Sequence, residues 1–119
     1  MAERECPFCA RVRDGAYEET TVENVVRFEP LNPVTPGHML FVPTAHAATA
    51  AESPWRAGCA FMAAAYFVAH EGIEANIITS VGLAATQTVM HTHIHVVPRA
   101  AGDGLHLPWT RQKPGVNHA

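Results

Sequence analysis

Three histidines stand out in the segment HTHIHVVPR, residues 91–99, where His91, His93 and His95 occupy every second position. An imidazole can bind a metal ion, hold a phosphate or act as a nucleophile near neutral pH. On a β-strand such residues share one face and lie about 6.6 Å apart, whereas ligand nitrogens on one small ion lie within about 4 Å of each other. The spacing therefore predicts that the three imidazoles serve different functions. This interpretation is favoured over the alternative that they are simply exposed histidines on a polar strand face.

A cysteine pair lies near the N-terminus in the sequence CPFC, with Cys6 and Cys9 at the spacing of a zinc half-site. A redox pair of this spacing is expected after a core strand and at the start of a helix. Because this pair lies near residue 1 with no predicted strand before it, redox chemistry is the weaker interpretation. A closed metal site needs two more ligands, and the candidates are His46 and the row that begins at His91. Cys59 lies in a predicted apolar helix face and is expected in the core.

Composition limits the classes of function that the chain can serve. The sequence has 119 residues, 48% apolar and 16% charged, with a net charge of −3. These values are typical of one globular domain, and they disfavour binding to long nucleic acids while leaving a small phosphorylated ligand open. The charged N-terminus, an odd number of cysteines and the lack of a long apolar run predict a cytoplasmic protein with neither secretory signal nor membrane span.

Strands are predicted where β-branched and aromatic residues concentrate, namely at 20–29, 38–43, 75–81 and 89–97. In the last of these, Thr92, Ile94 and Val96 alternate with the histidines and are expected to face the core. The proline-rich segment 29–38 is predicted to be a stiff connection, and 82–88 a loop of small residues.

One long helix is predicted over residues 53–72, with Ser53 as its cap, Pro54 in its first turn and Gly72 at its end. Its buried face is expected to consist of the apolar residues at three- and four-residue steps, which are Trp55, Cys59, Met62, Tyr66 and Ala69.

These elements predict an α+β fold, an antiparallel sheet of about five strands with one long helix packed on it. A single domain is expected over 1–119, with the cysteine pair in about 1–14 and an extended tail in about 100–119. A sheet this small leaves exposed edges, so dimerisation by edge pairing or helix packing is expected.

Several of these motifs, in this order, resemble the histidine-triad family of nucleotide hydrolases and transferases. HTHIHVV matches the family's triad signature, QTV at 87–89 resembles its phosphate-contacting segment, and PGHMLFVPTAH at 36–46 resembles its strand with further histidines. CPFC resembles the N-terminal half-site of a zinc-binding branch. The resemblance spans about residues 6–99 and implies an HIT-like fold and a homodimer.

The resemblance implies a covalent mechanism in which His93 attacks an α-phosphate and forms a nucleotidyl-histidine. The remaining implied phosphate contacts are His95, His38, the Gln87 amide and the Thr88 hydroxyl. It also implies a closed structural Zn²⁺ site formed by Cys6, Cys9, His46 and His91.

Two positions differ from the family pattern. Relatives usually carry an acidic or amide residue for the ribose hydroxyls where Pro30 stands here, so Glu29 and Asn32 are the candidate nucleotide contacts. Ser80 stands where relatives often have asparagine. Trp109 is a candidate for substrate selection or for packing, and His70, His106 and His118 are expected to have no catalytic role.

The leading hypothesis is therefore a zinc-containing nucleotide hydrolase or nucleotidyl transferase that acts on a small nucleotide substrate. The first alternative is a nucleotide-binding or scaffold module of the same fold with weak turnover. The second alternative, a metal-dependent oxygenase with His91 and His93 as ligands, lacks the carboxylate ligand and strand turns that such a barrel needs.

Overall fold

A computed structural model of the chain describes residues 6–108. It is a five-stranded antiparallel sheet with one helix on each face, which confirms the predicted α+β class. In chain order the elements are α1 (Pro7–Arg13), β1 (Glu18–Glu19), β2 (Val25–Phe28), β3 (Met39–Pro43), α2 (Pro54–Glu71), β4 (Ala75–Ile78), a 3-10 turn (Leu83–Ala85) and β5 (Ile94–Pro98).

The strand order is β1-β2-β3-β5-β4, so the strand that carries the last triad histidine lies inside the sheet. Leu40 of β3 pairs with His95 of β5, and Ile78 of β4 pairs with the same residue from the other side. A strand with neighbours on both sides has its backbone held by two ladders, which gives His95 a rigid support.

Alternation along the strands separates two apolar clusters. On one face Val25, Phe41, Ile94 and Val96 pack against α2. On the other face Val26, Phe28, Leu40 and Val42 pack against α1 and the residues after it. The triad and the pair Cys6 and Cys9 belong to the α1 face, so the long helix supports the site only through the sheet.

Two predicted strands begin later than expected. Residues 20–24 precede β2 as turns and bends, with Asn24 at a φ of 65°, and regular pairing begins only at Val25. Similarly, β5 begins at Ile94, so His91 and His93 lie in the irregular segment before it and not on a strand. The inward set was predicted correctly, because Thr92, Ile94 and Val96 are all buried.

The predicted buried face of the long helix is wrong. Trp55, Met62 and Tyr66 are 80%, 46% and 55% exposed, whereas Ala60, Ala63 and Ala64 face the sheet. Small alanine side chains let the helix backbone lie close to the sheet, and the larger apolar residues remain outside. The ends lie where predicted, with Pro54 in the first turn and Gly72 in the left-handed conformation at a φ of 63°, but the side chain of Ser53 at the N-cap position makes no capping hydrogen bond.

The segment after β5 is held to the sheet by Arg99. Its guanidinium donates to both Asp103 carboxylate oxygens at 2.7 and 2.9 Å, to the Asn76 side chain at 2.7 Å and to the Leu105 carbonyl at 2.8 Å. This part of the predicted tail is therefore a turn over 101–102 and not simply extended. Trp109 and His118 lie outside the described residues. No helix within residues 6–108 is long and apolar enough to cross a membrane.

Candidate active site and metal centre

His93 is oriented by a backbone carbonyl. Its Nδ1 lies 2.7 Å from the carbonyl oxygen of His91. Because a carbonyl only accepts, Nδ1 must carry the proton, and the lone pair of the neutral ring is then on Nε2. Burial lowers the pKa of His93, an effect that the same backbone hydrogen bond partly opposes. The ring is therefore held in the tautomer that a nucleophile attacking through Nε2 requires.

His38 and His95 form a relay with a defined direction. The Val34 backbone N–H donates to Nδ1 of His38 at 3.1 Å, so the proton of neutral His38 is on Nε2. That Nε2–H lies 3.0 Å from Nδ1 of His95 and donates to it. The proton of neutral His95 is consequently on its Nε2, where it can be donated to a ligand.

Burial lowers the pKa of both rings in this relay. For His95 the pKa falls to about 4, through burial first and then through the nearby His93 and His38. For His38 burial lowers the pKa, and the negative charge of Glu29 partly opposes that effect. Both shifts favour the neutral rings that the relay requires.

The site thus combines a free lone pair and an N–H donor on neighbouring rings. The centroids of His93 and His95 lie 5.0 Å apart with their planes at 63°. One ring presents a lone pair and the other an N–H, which is the combination needed to attack a phosphorus atom while holding one of its oxygens. The two histidines, two residues apart in the sequence, are therefore held in opposite tautomers.

Four side chains form a possible metal centre next to these rings. One ligand atom each from Cys6, Cys9, His46 and His91 lies within 4.8 Å of all the others. Nδ1 of His91 is 3.3 Å from the Cys6 sulfur and 3.5 Å from the Cys9 sulfur, and Nδ1 of His46 is 3.3 Å from the Cys9 sulfur. The four residues proposed from the sequence are therefore brought together.

The surroundings of this cluster suit a metal ion. Nε2 of His91 donates to the Pro43 carbonyl at 2.8 Å, so the lone pair of that ring is on Nδ1, which faces the thiols. The backbone N–H of Cys9 lies 3.4 Å from the Cys6 sulfur and donates to it, which favours a thiolate. Two sulfur and two imidazole donors match a closed tetrahedral site. His91 was expected on an open face, but it is completely buried because it serves this cluster.

Phe8 is a residue of the site that the sequence pattern did not single out. It lies between the two cysteines, and its ring centroid is 5.2 Å from that of His93 at an interplanar angle of 89°. The only sequence signal was its position within CPFC, because an aromatic residue there is equally consistent with simple packing.

Gln87 is buried within the loop that precedes the triad. Its side-chain oxygen accepts from the Gly82 N–H at 2.8 Å, and its amide nitrogen donates to the carbonyls of Ala48 and Val89 at 2.7 and 3.0 Å. In this arrangement the Gln87 amide shapes the loop. Thr88 beside it is exposed. Direct phosphate contact by either residue stays a prediction.

The residues expected to hold the nucleoside lie at the surface. Glu29 and Asn32 are both exposed, and Leu31, which lies between Pro30 and Asn32, is 92% exposed. Glu29 is close enough to influence His38 electrostatically. Their contact with a nucleotide stays a prediction. A cavity of about 800 Å³ lies on the α2 face instead, lined in part by Arg27, and it is separate from the triad.

Comparison with known proteins agrees with this geometry. The HIT domain family model matches residues 20–102. The chain is 33% identical to a HIT-like protein of Methanocaldococcus jannaschii, covering 83% of this chain and 82% of that protein. It is 28% identical to the adenylylsulfatase HINT3 of Arabidopsis thaliana, covering 87% of this chain but only 56% of HINT3, so it spans little more than half of that relative.

A solved structure with a bound metal is also similar. The zinc-bound histidine triad family protein of Mycobacterium smegmatis superimposes with a TM-score of 0.70 at 31% identity. The match covers 95% of this chain and 86% of that one, so it includes nearly the whole sheet and both helices.

Proposed function

Because the chain belongs to the HIT domain family, we propose that it is a nucleotide hydrolase or nucleotidyl transferase that cleaves at the α-phosphate of a nucleoside monophosphate derivative. The observation that carries the proposal is the pairing of a lone pair on His93 Nε2 with an N–H on His95 Nε2. The substrate class is a phosphoramidate, a dinucleotide or a similar small molecule.

The proposed reaction has two displacements at one phosphorus atom. In the first, His93 Nε2 forms a bond to the α-phosphorus, and the bond from phosphorus to the leaving amine, alcohol or phosphate breaks. The leaving group takes the electron pair of that bond. In the second, water or another acceptor attacks the nucleotidyl-histidine and releases His93. His95 stabilises the charge on the phosphoryl oxygens through its Nε2–H, and His38 supports it through the hydrogen bond that it donates to His95 Nδ1, with Gln87 and Thr88 as further predicted contacts.

We propose that the Cys6, Cys9, His46 and His91 cluster binds Zn²⁺ as a structural ion. All four protein donors of a tetrahedral site are present, so the ion needs no further ligand. When bound, it would fasten α1 to the sheet. Mass spectrometry under native conditions should find about one zinc per chain.

The proposal also covers the oligomeric state of the chain and its location in the cell. We propose a homodimer, supported by the exposed apolar side chains of α2 and by Ile78, which is 37% exposed on the edge strand β4. Thiolate ligands are best maintained in a reducing compartment, which supports a cytoplasmic location. The single domain over 1–119, and a ligand that is small rather than a long nucleic acid or a membrane, remain part of the same proposal.

The second candidate is a nucleotide-binding module with weak turnover. It is favoured by the exposure of Glu29 and Asn32, which leaves the nucleoside end of the site without a buried polar contact from these two residues. The two candidates differ in turnover and not in binding.

The deciding experiment is a turnover panel. The wild type, His93→Ala and His70→Ala are each incubated with nucleoside 5′-phosphoramidates, dinucleotides and adenylyl sulfate. Adenylyl sulfate is included because the relative HINT3 is an adenylylsulfatase. His70 is the matched control because it lies at the end of α2 on the other side of the sheet. We expect turnover by the wild type and His70→Ala only. Nucleotide binding without turnover by any of the three proteins would favour the binding module.

A further inference from the structure

We propose that Phe8 is a positioning residue for His93, so that the metal cluster and the nucleophile are mechanically coupled through one aromatic ring. The proposal rests on the proposed function for its kinetic part, but the contact itself is open to a separate test. Phe8 would act on the reaction only through the orientation of the His93 ring.

The ring of Phe8 lies where the two parts of the site meet. It makes perpendicular contacts with His93, at 5.2 Å between centroids and 89°, and with His91, at 5.9 Å and 68°. A third edge contact joins it to Phe28 of β2 at 5.2 Å. Phe8 therefore touches the nucleophile, a metal ligand and the apolar cluster of the same sheet face at once.

The position of Phe8 is determined largely by the cysteines that flank it. Cys6 is the N-cap of α1 and Cys9 is in its first turn, so Phe8 cannot move independently of the ligands. The helix has only seven residues, and none of them is buried. A helix this short is not stable by itself and depends on its attachments. Those attachments are the sulfur atoms and the packing of Phe8 and Val12 on the sheet.

His93 has few other restraints. One hydrogen bond holds its Nδ1, and the ring of His95 lies 5.0 Å away. His93 precedes β5, so its backbone lacks the strand ladder that supports His95 and is held by one hydrogen bond, which the Thr79 hydroxyl donates to the His93 carbonyl at 2.8 Å. A single hydrogen bond permits the ring to swing about the N–H direction, and Phe8 blocks part of that motion. Loss of Phe8, or release of α1 when the cluster is empty, should therefore misalign Nε2.

The test compares Phe8→Leu with Val12→Ala, both with zinc content measured. Val12 is the matched control because it packs in the same cluster from the same helix but makes no ring contact with His93. The first readout is the chemical shift of the His93 ring protons, which a neighbouring aromatic ring perturbs strongly. The second is the single-turnover rate and KM with a phosphoramidate. Phe8→Tyr tests rescue, because it restores a ring.

We expect Phe8→Leu to shift the His93 ring protons and to slow the nucleotidyl-transfer step about tenfold or more, with KM and zinc content near wild type. Val12→Ala should change neither shift nor rate, Phe8→Tyr should recover most of the rate, and zinc removal from the wild type should reproduce the shift change. Unchanged His93 shifts in Phe8→Leu, or equal effects in the two helix variants, would overturn the coupling. If the wild type shows no turnover, the proposed function fails and the shifts alone decide the role of Phe8.

Discussion

Each face of the sheet carries one helix, and the two helices are attached to the sheet by different kinds of contact. On the α2 face an 18-residue helix places Ala60, Ala63 and Ala64 against four apolar strand residues, and this contact is made by apolar side chains. On the α1 face a seven-residue helix is attached through sulfur atoms, imidazoles and a few rings. The comparison indicates that α2 supplies most of the burial, whereas the order of the α1 face depends on the thiols and imidazoles of the possible metal centre.

Removal of one metal ligand should give the largest difference between the two faces. In Cys9→Ala we expect loss of zinc and a fall in turnover of at least about 100-fold, because α1 loses its attachment to His46 and His91. Hydrogen exchange should show α1 opening while α2 keeps its protection. Cys59→Ala is the control, since Cys59 packs beside the α2 cluster. Equal loss of protection in both helices would contradict the separation.

Overpacking the α2 face should have the opposite pattern. Ala64→Leu places a large side chain at a site with no exposed surface, and we expect the free energy of unfolding to fall by about 1–3 kcal/mol. Zinc content and the exchange behaviour of α1 should stay at wild-type values. Chemical denaturation combined with metal analysis measures both. A loss of zinc in this variant would show that the faces are not independent.

Acid should destabilise the α1 face through His95. Its pKa is lowered to about 4 in the folded protein, against about 6.5 when unfolded. Above pH 6.5 the ring is neutral in both states and contributes nothing; as the pH falls from 6.5 to 4 only the unfolded chain gains the proton, so stability decreases. Because the ring is partly exposed, we expect only about 1–2 kcal/mol.

The contribution of His95 is isolated by comparing the pH dependence of unfolding with that of His95→Gln. The variant lacks the titrating ring but keeps the cluster of two cysteines and two histidines, so acid release of the proposed metal ion is common to both proteins. The wild type should lose more stability than the variant between pH 6.5 and 4. Parallel curves would mean that His95 titrates normally in the folded protein.

The exposed side of α2 should give the smallest effect. Met62 is 46% exposed, so Met62→Ser is expected to change the unfolding free energy of the monomer by no more than about 0.5 kcal/mol. Denaturation at low protein concentration measures this, and light scattering detects any change in assembly. A loss of about 2–5 kcal/mol, as for a core methionine, would show that Met62 is buried, as expected from the sequence.

Much of the site followed from residue types, because imidazoles and thiols are rare and chemically specific. The four-residue cluster of Cys6, Cys9, His46 and His91 was proposed from spacing and resemblance, and the structure brings those residues together. The inward alternation of Ile94 and Val96 also followed from a simple period. These two predictions agree with the structure because they depend only on the chemistry of the residues or on local geometry.

Other features depended on tertiary packing that no local pattern encodes. Larger apolar residues gave a periodic stripe on α2, yet the alanines next to it fit closer to the sheet and were preferred. His91 and His93 leave the strand because one ring must turn inward to the cysteines while the other remains accessible. The tautomers followed only from backbone groups, the carbonyl of His91 and the N–H of Val34, which carry no sequence signature.

The most direct measurement is the capture of the covalent intermediate on His93. Wild-type protein is mixed with a phosphoramidate, quenched in milliseconds under alkaline conditions, and analysed by intact-mass and peptide-level mass spectrometry, with His95→Gln beside it. We predict one nucleotidyl group per chain, attached to His93, that forms more slowly in the variant, where the Nε2–H donor is altered. Turnover without any adduct, or an adduct on another residue, would contradict the assignment of His93 as the nucleophile.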